Sequence, residues 1–345
     1  MNVGRKRSPN AVIDMVLKTL GSFILTGGGR PRVNVLYYHR VVEAHDPMND
    51  SVPDVATFRW QMALLKKYFN VLPLSEVVAR WQDGTLRPRT IAITFDDGYK
   101  DNLTKAAPIL QELGLPATIF VASGYLKRRL MWNDRLIEAA RRSTRREVDL
   151  EPMGLGTVAV SSTGDRQRLA GMLINALKRH KVDQREAMTE AVCDALGVTD
   201  FPSLMLEPED LARVESAGFE VGGHTVNHPI LCMETPERAE WEINQGKRDL
   251  EEILDHPVRL FAFPNGRPDR DYGAAHVEMV RQAGFAAAFS TAPAVIRPGS
   301  DPMQLPRFTP WDRTPQRYLG RMLFQGMKSR FRHEGVARTP AEAGP

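Results

Sequence analysis

Cysteine is almost missing from this chain of 345 residues: Cys193 and Cys232 are the only two. Two thiols cannot build a disulfide framework or a cysteine-ligated zinc site. Long apolar runs are missing as well, so no stretch can span a bilayer. The net charge is only +4. That excess would suit an anionic sugar, a membrane surface or nucleic acid without selecting any of them, and no nucleic-acid-binding motif accompanies it. A secretory leader is suggested by Arg5-Lys6-Arg7 ahead of residues 11–25, yet Asp14 and Lys18 interrupt the apolar run and no small-x-small cleavage site follows. Segment 1–30 reads instead as an amphipathic helix, with Val12, Met15, Val16, Leu20 and Phe23 on one face, suited to peripheral membrane contact. The expected location is therefore cytoplasmic or membrane-peripheral. Oligomeric state leaves no trace in the sequence.

What is present is a repeated grammar of helix, terminal glycine and apolar strand. It occurs at Gly114 before Ala117 to Val121, at Gly218 before Phe219 to Val221, and at Gly284 before Phe285 to Phe289. Glycine suits the residue after a helix because the left-handed conformation costs it nothing. Thr235-Pro236 opens a further unit as N-cap and first helical residue, leading to the strand Arg259 to Phe263. Strands at Val33 to Tyr38 and Thr90 to Phe95 complete the set. Helices alternating with buried strands predict an α/β fold with a parallel sheet, open or closed into a barrel. Residues 127–204 break this rhythm and read as a mostly helical insertion, with helical patterns at Asn133 to Arg142, Gln167 to His180 and Arg185 to Leu196. Insertions at such strand ends line the mouth of the site or simply extend the packing. The barrel-like region spans 31–325, and 326–345 reads as a disordered tail.

Chemistry gathers at two strand ends. Along Ile91-Ala92-Ile93-Thr94-Phe95-Asp96 the period of two puts Ile91, Ile93 and Phe95 against helices. Ala92, Thr94 and Asp96 then face a lumen or cleft, and Gly98 breaks the strand so that Asp97 can turn to the same mouth. Adjacent carboxylates there are costly unless a cation holds one of them; a solvated Asx-type turn is the alternative for the dipeptide alone. His224-Thr225-Val226-Asn227-His228-Pro229 follows another strand through Gly222-Gly223. Histidines four apart on one turn can share a metal. With the Asp-Asp-Gly strand end, they suggest a site of two His and one carboxylate with a position left for water.

Thr94-Phe95-Asp96-Asp97-Gly98-Tyr99 together with His224-Thr225-Val226-Asn227-His228 resembles the first two motifs of the polysaccharide deacetylases, the NodB-homology family (carbohydrate esterase family 4). The likeness runs from about Val33 to Phe308, excluding most of the insertion. It implies a distorted (β/α) barrel of about seven parallel strands and a divalent metal, Zn2+ first, with Co2+, Ni2+ or Fe2+ as alternatives. It also implies hydrolysis of acetyl groups on a polysaccharide or oligosaccharide. By position, the resemblance makes Asp96 the base and Asp97, His224 and His228 the metal ligands. Ala262-Phe263-Pro264-Asn265-Gly266 matches the third motif, and the N–H of Asn265 would meet the oxyanion. The family's arginine two residues before that proline is Ala262 here, and Arg307 is the candidate to supply a guanidinium instead. The late Leu-x-His is missing too. His39, at the end of the first strand as in exopolysaccharide-modifying members, is the candidate acid; a turn-bonded histidine is the alternative.

Tyr99, Tyr125, Trp132 and Trp311 are candidate sugar platforms, with Pro264 beside them. Lys127-Arg128-Arg129 and the arginines at 141, 142, 145 and 146 could hold an anionic polymer or form a solvated helical face. Two other functions stay open at this level. A glycoside hydrolase needs two carboxylates roughly 5–9.5 Å apart, which adjacent Asp96 and Asp97 match poorly. A non-catalytic sugar-binding relative is allowed by the missing arginine.

Overall fold

The computed structural model describes residues 32–128 and 130–331. The amphipathic segment expected at 1–30 and the middle of the basic run at Arg129 lie outside them. In chain order the strands are β1 (Asn34–Tyr38), β2 (Asn70–Val71), β3 (Thr90–Phe95) and β4 (Thr118–Val121), then β5 (Glu147–Asp149) and β6 (Thr157–Ala159). They continue with β7 (Glu220–Gly223), β8 (Leu260–Ala262), β9 (Ala287–Ser290) and β10 (Leu305–Pro306). The main sheet runs β1-β3-β4-β7-β8-β9-β10, with β2 added on β3, and every named pair in it is parallel. After β10 the chain returns to β1: Tyr37 N–H donates to Phe308 O at 3.2 Å, and Phe308 N–H to Val35 O at 3.1 Å. That contact nearly closes the sheet into the expected barrel.

Closure makes two apolar layers out of one alternation. Ile91, Ile93 and Phe95 pack outward with Leu36, Phe58 and Ile109 under the helices. Ala92 points inward with Val35, Phe120, Leu260, Ala262 and Phe289 to fill the lumen. Each fully buried aliphatic or aromatic side chain in these layers contributes about 1.5–3 kcal/mol. At the C-terminal end of the strands Thr94 and Asp96 continue the inward row and turn it polar. Glycines 114, 218 and 284 all have positive φ, as their place after helices required. Thr235 caps the helix Pro236–Leu254 by accepting from Arg238 N–H.

Between β4 and β7 the chain forms helices Trp132–Arg142, Thr163–Leu177 and Val182–Leu196 around a core of their own, centred on Leu136, Leu169, Leu173, Val192 and Leu196. The second helix starts at Thr163, where Ser162 and Asp165 form a capping box, and ends at Leu177, short of His180. The antiparallel hairpin β5–β6 was not foreseen. Its strands are three residues each, too short for a period of two to register. The final helix, Pro315–Phe331, carries regular structure past the expected tail boundary at 326; residues 332–345 lie outside the described residues. Among the described residues, no helix is long and apolar enough to cross a membrane.

Candidate functional site

β3 delivers the two carboxylates. Asp96 N–H still donates to Tyr38 O of β1 at 2.9 Å, so its side chain keeps the inward phase of Thr94. Asp97 leaves the strand with φ 76°, a left-handed conformation that costs an aspartate on the order of 1 kcal/mol or more. Two backbone bonds from the segment returning to β7 hold this turn: Leu206 N–H to Gly98 O at 2.9 Å and Lys100 N–H to Leu204 O at 2.7 Å.

β7 delivers the histidines. His224 N–H continues the pairing to Val121 O at 3.1 Å, after which Thr225 and His228 adopt positive φ of 65° and 52°. Two neighbours hold this strained loop. Glu242, fully buried on the helix Pro236–Leu254, accepts from Val226 N–H (3.0 Å), Asn227 N–H (2.8 Å) and Asn227 Nδ2 (2.9 Å). One turn further on, Gly246 lets the helix touch the loop; a Cβ there would stand 2.7 Å from the Thr225 carbonyl carbon. From the other side Arg185, buried on the helix Val182–Leu196, donates to Asn227 O at 2.7 Å and His228 O at 3.0 Å.

The three candidate ligands converge. Asp97 Oδ1 lies 3.5 Å from His224 Nε2 and 3.3 Å from His228 Nε2, and the three ligand atoms all sit within 4.8 Å of one another. Asp97 Oδ1 is buried without a hydrogen-bond partner among the described residues. An orphaned buried carboxylate oxygen facing two imidazole nitrogens is a cation-shaped deficit. His224 Nδ1 is 2.7 Å from Ala262 O; a carbonyl can only accept, so Nδ1 carries the proton and Nε2 offers its lone pair. Burial raises the Asp97 pKa, but His228 and His224 outweigh it and hold the carboxyl below its usual range. Desolvation lowers His228 to about 3, against the pull of Asp97. An ionised carboxylate beside a neutral imidazole is the protonation state a divalent ion requires. The residues fit such an ion.

Beside this cluster Asp96 is gripped by Arg307, which donates from Nη1 at 2.7 Å and Nη2 at 2.9 Å. Nη1 also reaches Thr94 Oγ1 at 3.0 Å, and the guanidinium stacks over the rings of Tyr37 and Phe120 at 5.0 and 5.1 Å. Burial raises the Asp96 pKa, but the charge and hydrogen bonds of Arg307, with His224 and His39, together outweigh it and hold the carboxyl below its usual range. A guanidinium from beyond β10 thus stands against the carboxylate in a chain with alanine at 262. His39 is exposed at the end of β1 with its ring edge on Tyr37, 5.8 Å between centroids. It is near enough for its charge to act on both Asp96 and Asp97. Asn265 follows the buried Pro264 with φ 58°; its carbonyl accepts from Thr291 Oγ1, and among the described residues its N–H has no acceptor.

The aromatic candidates divide. Trp311 is 61% exposed. Tyr99 and Tyr125 are buried, and Tyr99 Oη donates to Asp134 Oδ2 at 2.7 Å, so neither ring presents a face to a sugar. Trp132 is buried in the helical core with the Arg185 guanidinium 4.8 Å over its ring. These three expectations are corrected: the side chains pack. Glu242, Gly246 and Arg185 escaped the sequence reading. Only Gly246 left a signal, a glycine inside an amphipathic helix, which marks a close approach.

The fold is thus a nearly closed parallel barrel with carboxylates and imidazoles gathered at its strand tips. The chain belongs to the polysaccharide deacetylase family, whose profile matches residues 83–288. The fold is similar to that of the Streptococcus pyogenes deacetylase PplD in complex with acetate. That likeness has a TM-score of 0.58 at 17% identity, over 85% of this chain and 99% of PplD. It is also similar to IcaB from Ammonifex degensii, with a TM-score of 0.55 at 18% identity, over 87% of this chain and 98% of IcaB. In sequence the chain is 21% identical over 192 residues to YxkH of Bacillus subtilis (strain 168), whose name assigns it provisionally to the polysaccharide deacetylases. That alignment spans 55% of this chain and 63% of YxkH.

Proposed function

We propose that the chain is a metal-dependent hydrolase that removes acetyl groups from an N-acetylated or O-acetylated glycan, in exopolysaccharide or cell-envelope metabolism. The observation that carries this reading is the convergence of Asp97, His224 and His228 within 4.8 Å, next to a separately paired Asp96. Asp97, His224 and His228 would hold the ion, Zn2+ in the first instance. Bound there, it would lend Lewis acidity to the acetyl carbonyl and to the attacking water. Asp96, kept ionised by Arg307, takes the proton of that water. The Asn265 N–H would donate to the oxyanion. His39, exposed at the mouth, returns a proton to the departing amine or alkoxide. A glycosidase is disfavoured because one acid, Asp96, is committed to a guanidinium and its neighbour to two imidazoles.

Acetate release from acetylated glucosamine polymers, measured with metal content, tests the reading. The purified protein should lose activity to a chelator and regain it with Zn2+. Asp96→Asn should keep its metal and lose about 100-fold or more in rate. New reducing ends without acetate would overturn the proposal.

A further inference from the structure

The mouth beside Asn265 opens into a cavity of about 490 Å³ whose floor includes Tyr37, the residue whose ring carries the Arg307 guanidinium. Its wall is cationic. Lys178 and Arg179 come from just past the helix Thr163–Leu177, Arg267 and Arg270 from the loop after β8, and Asp271 is the single carboxylate among the lining residues. That one carboxylate is shared: Asp271 Oδ1 lies 3.7 Å from Arg179 and 3.9 Å from Arg270, within ion-pair range of both, and Asp271 Oδ2 accepts from Arg267 N–H at 3.1 Å, so it offsets only one of their charges. Lys178 Nζ donates to Asn175 Oδ1 at 2.8 Å, and among the described residues no carboxylate pairs with the Lys178 ammonium or the Arg267 guanidinium. Elsewhere in the insertion Arg135 pairs with Glu190, Arg141 with Asp46 and Arg142 with Glu138. The cavity next to the candidate oxyanion residue keeps cations in excess of its one lining carboxylate, and Trp311, exposed on the same wall, offers a ring face to a sugar.

Five cations line this concavity, with Arg321 paired to Asp312 and Asp271 the one lining carboxylate; the remaining like charges repel one another, and a bound oxyanion relieves that repulsion. Guanidinium groups match the planar, two-oxygen geometry of carboxylates and phosphates. We infer that this cavity holds an oxyanion carried by the substrate, a carboxylate or phosphate ester on the sugar next to the one that loses its acetyl group. The substrate is then an anionic glycan. The inference rests on the deacetylase reading for its chemistry and on the excess of cations over carboxylates for its specificity.

Three oligosaccharides of acetylated glucosamine test it: one neutral, one with a neighbouring uronate and one with a neighbouring phosphate ester. With the metal-loaded full chain at low salt, kcat/KM for an anionic member should exceed that for the neutral one by about tenfold. The preference should shrink as salt is raised. The exposed pair Arg267→Gln with Arg270→Gln should bring the ratio toward one. Calorimetric binding to the Asp96→Asn protein reads the same preference without turnover. If no oligosaccharide releases acetate but binding still follows charge and those two arginines, the deacetylase reading falls and the anionic cavity stands. Equal kcat/KM for neutral and anionic members, or a preference indifferent to salt and to both substitutions, overturns the inference and leaves the deacetylase reading intact. Which anionic member is preferred identifies the oxyanion.

Discussion

Arg307 and Arg185 are the two largest wholly buried side chains, and each represents one region of the molecule. Arg307 belongs to the barrel and spends its charge on a carboxylate, Asp96. Arg185 belongs to the helical insertion and spends its charge on two carbonyl oxygens of the His224–His228 loop and on the ring of Trp132. The barrel therefore sets the electrostatics of the candidate base, while the insertion sets the shape of the histidine loop. Asp134, also from the insertion, touches the other half of the centre by accepting from Tyr99 Oη. With the bond from Lys100 N–H to Leu204 O beside the Asp97 turn, the insertion contacts both sides of the candidate metal centre, although its apolar core is separate. It braces the site, which is more than an appended lid would do.

Substitutions in the two regions should separate these duties. Arg307→Met leaves the Asp96 carboxylate buried and unpaired, and should cost about 3–5 kcal/mol in urea unfolding along with most of the activity. A loss confined to activity would mean that Asp96 finds another cation. Arg185→Met should leave the barrel folded by circular dichroism but weaken metal binding roughly 10–100-fold, because it frees the loop behind His228. An unchanged metal affinity would reduce the insertion to packing. The smallest effect concerns Asp134, which burial raises to about 6, against the influence of Arg40 and Tyr99. Its folded pKa lies above the unfolded value of about 3.9, so the native state holds the proton more tightly. The stability this contributes is present below about pH 4 and is lost as pH rises toward 6. In chelator-treated protein, the stability of the wild type relative to Asp134→Asn should therefore fall by on the order of 1–3 kcal/mol between pH 4 and 7. A difference that does not move with pH would show that Asp134 acts through its hydrogen bond alone.

The same division governs what could be read in the sequence. Asp96, Asp97, His224 and His228 stand in two short motifs at strand ends, where local pattern and chemistry coincide. The barrel was legible because its strands are buried on both faces and its helices end in glycine. Arg307 was reached only as a replacement for the arginine missing at 262. Arg185 and Glu242 were invisible because their partners lie 42 and 15 residues away in the chain, and on a helix each looks like any charged residue. Tyr99 and Trp132 were misjudged for the converse reason: an aromatic near a strand end does not announce whether its ring is covered.

The seam between β1 and the segment after β10 has a consequence for how the protein comes into being. Asp96 and its guanidinium are separated by 211 residues. During synthesis the acid would leave the ribosome long before its counter-ion, and could enter the lumen only uncompensated or as the neutral acid. The candidate catalytic end of the barrel thus reaches electrical completeness late, and a chain cut short before Arg307 would carry the signature motifs without a settled charge behind them.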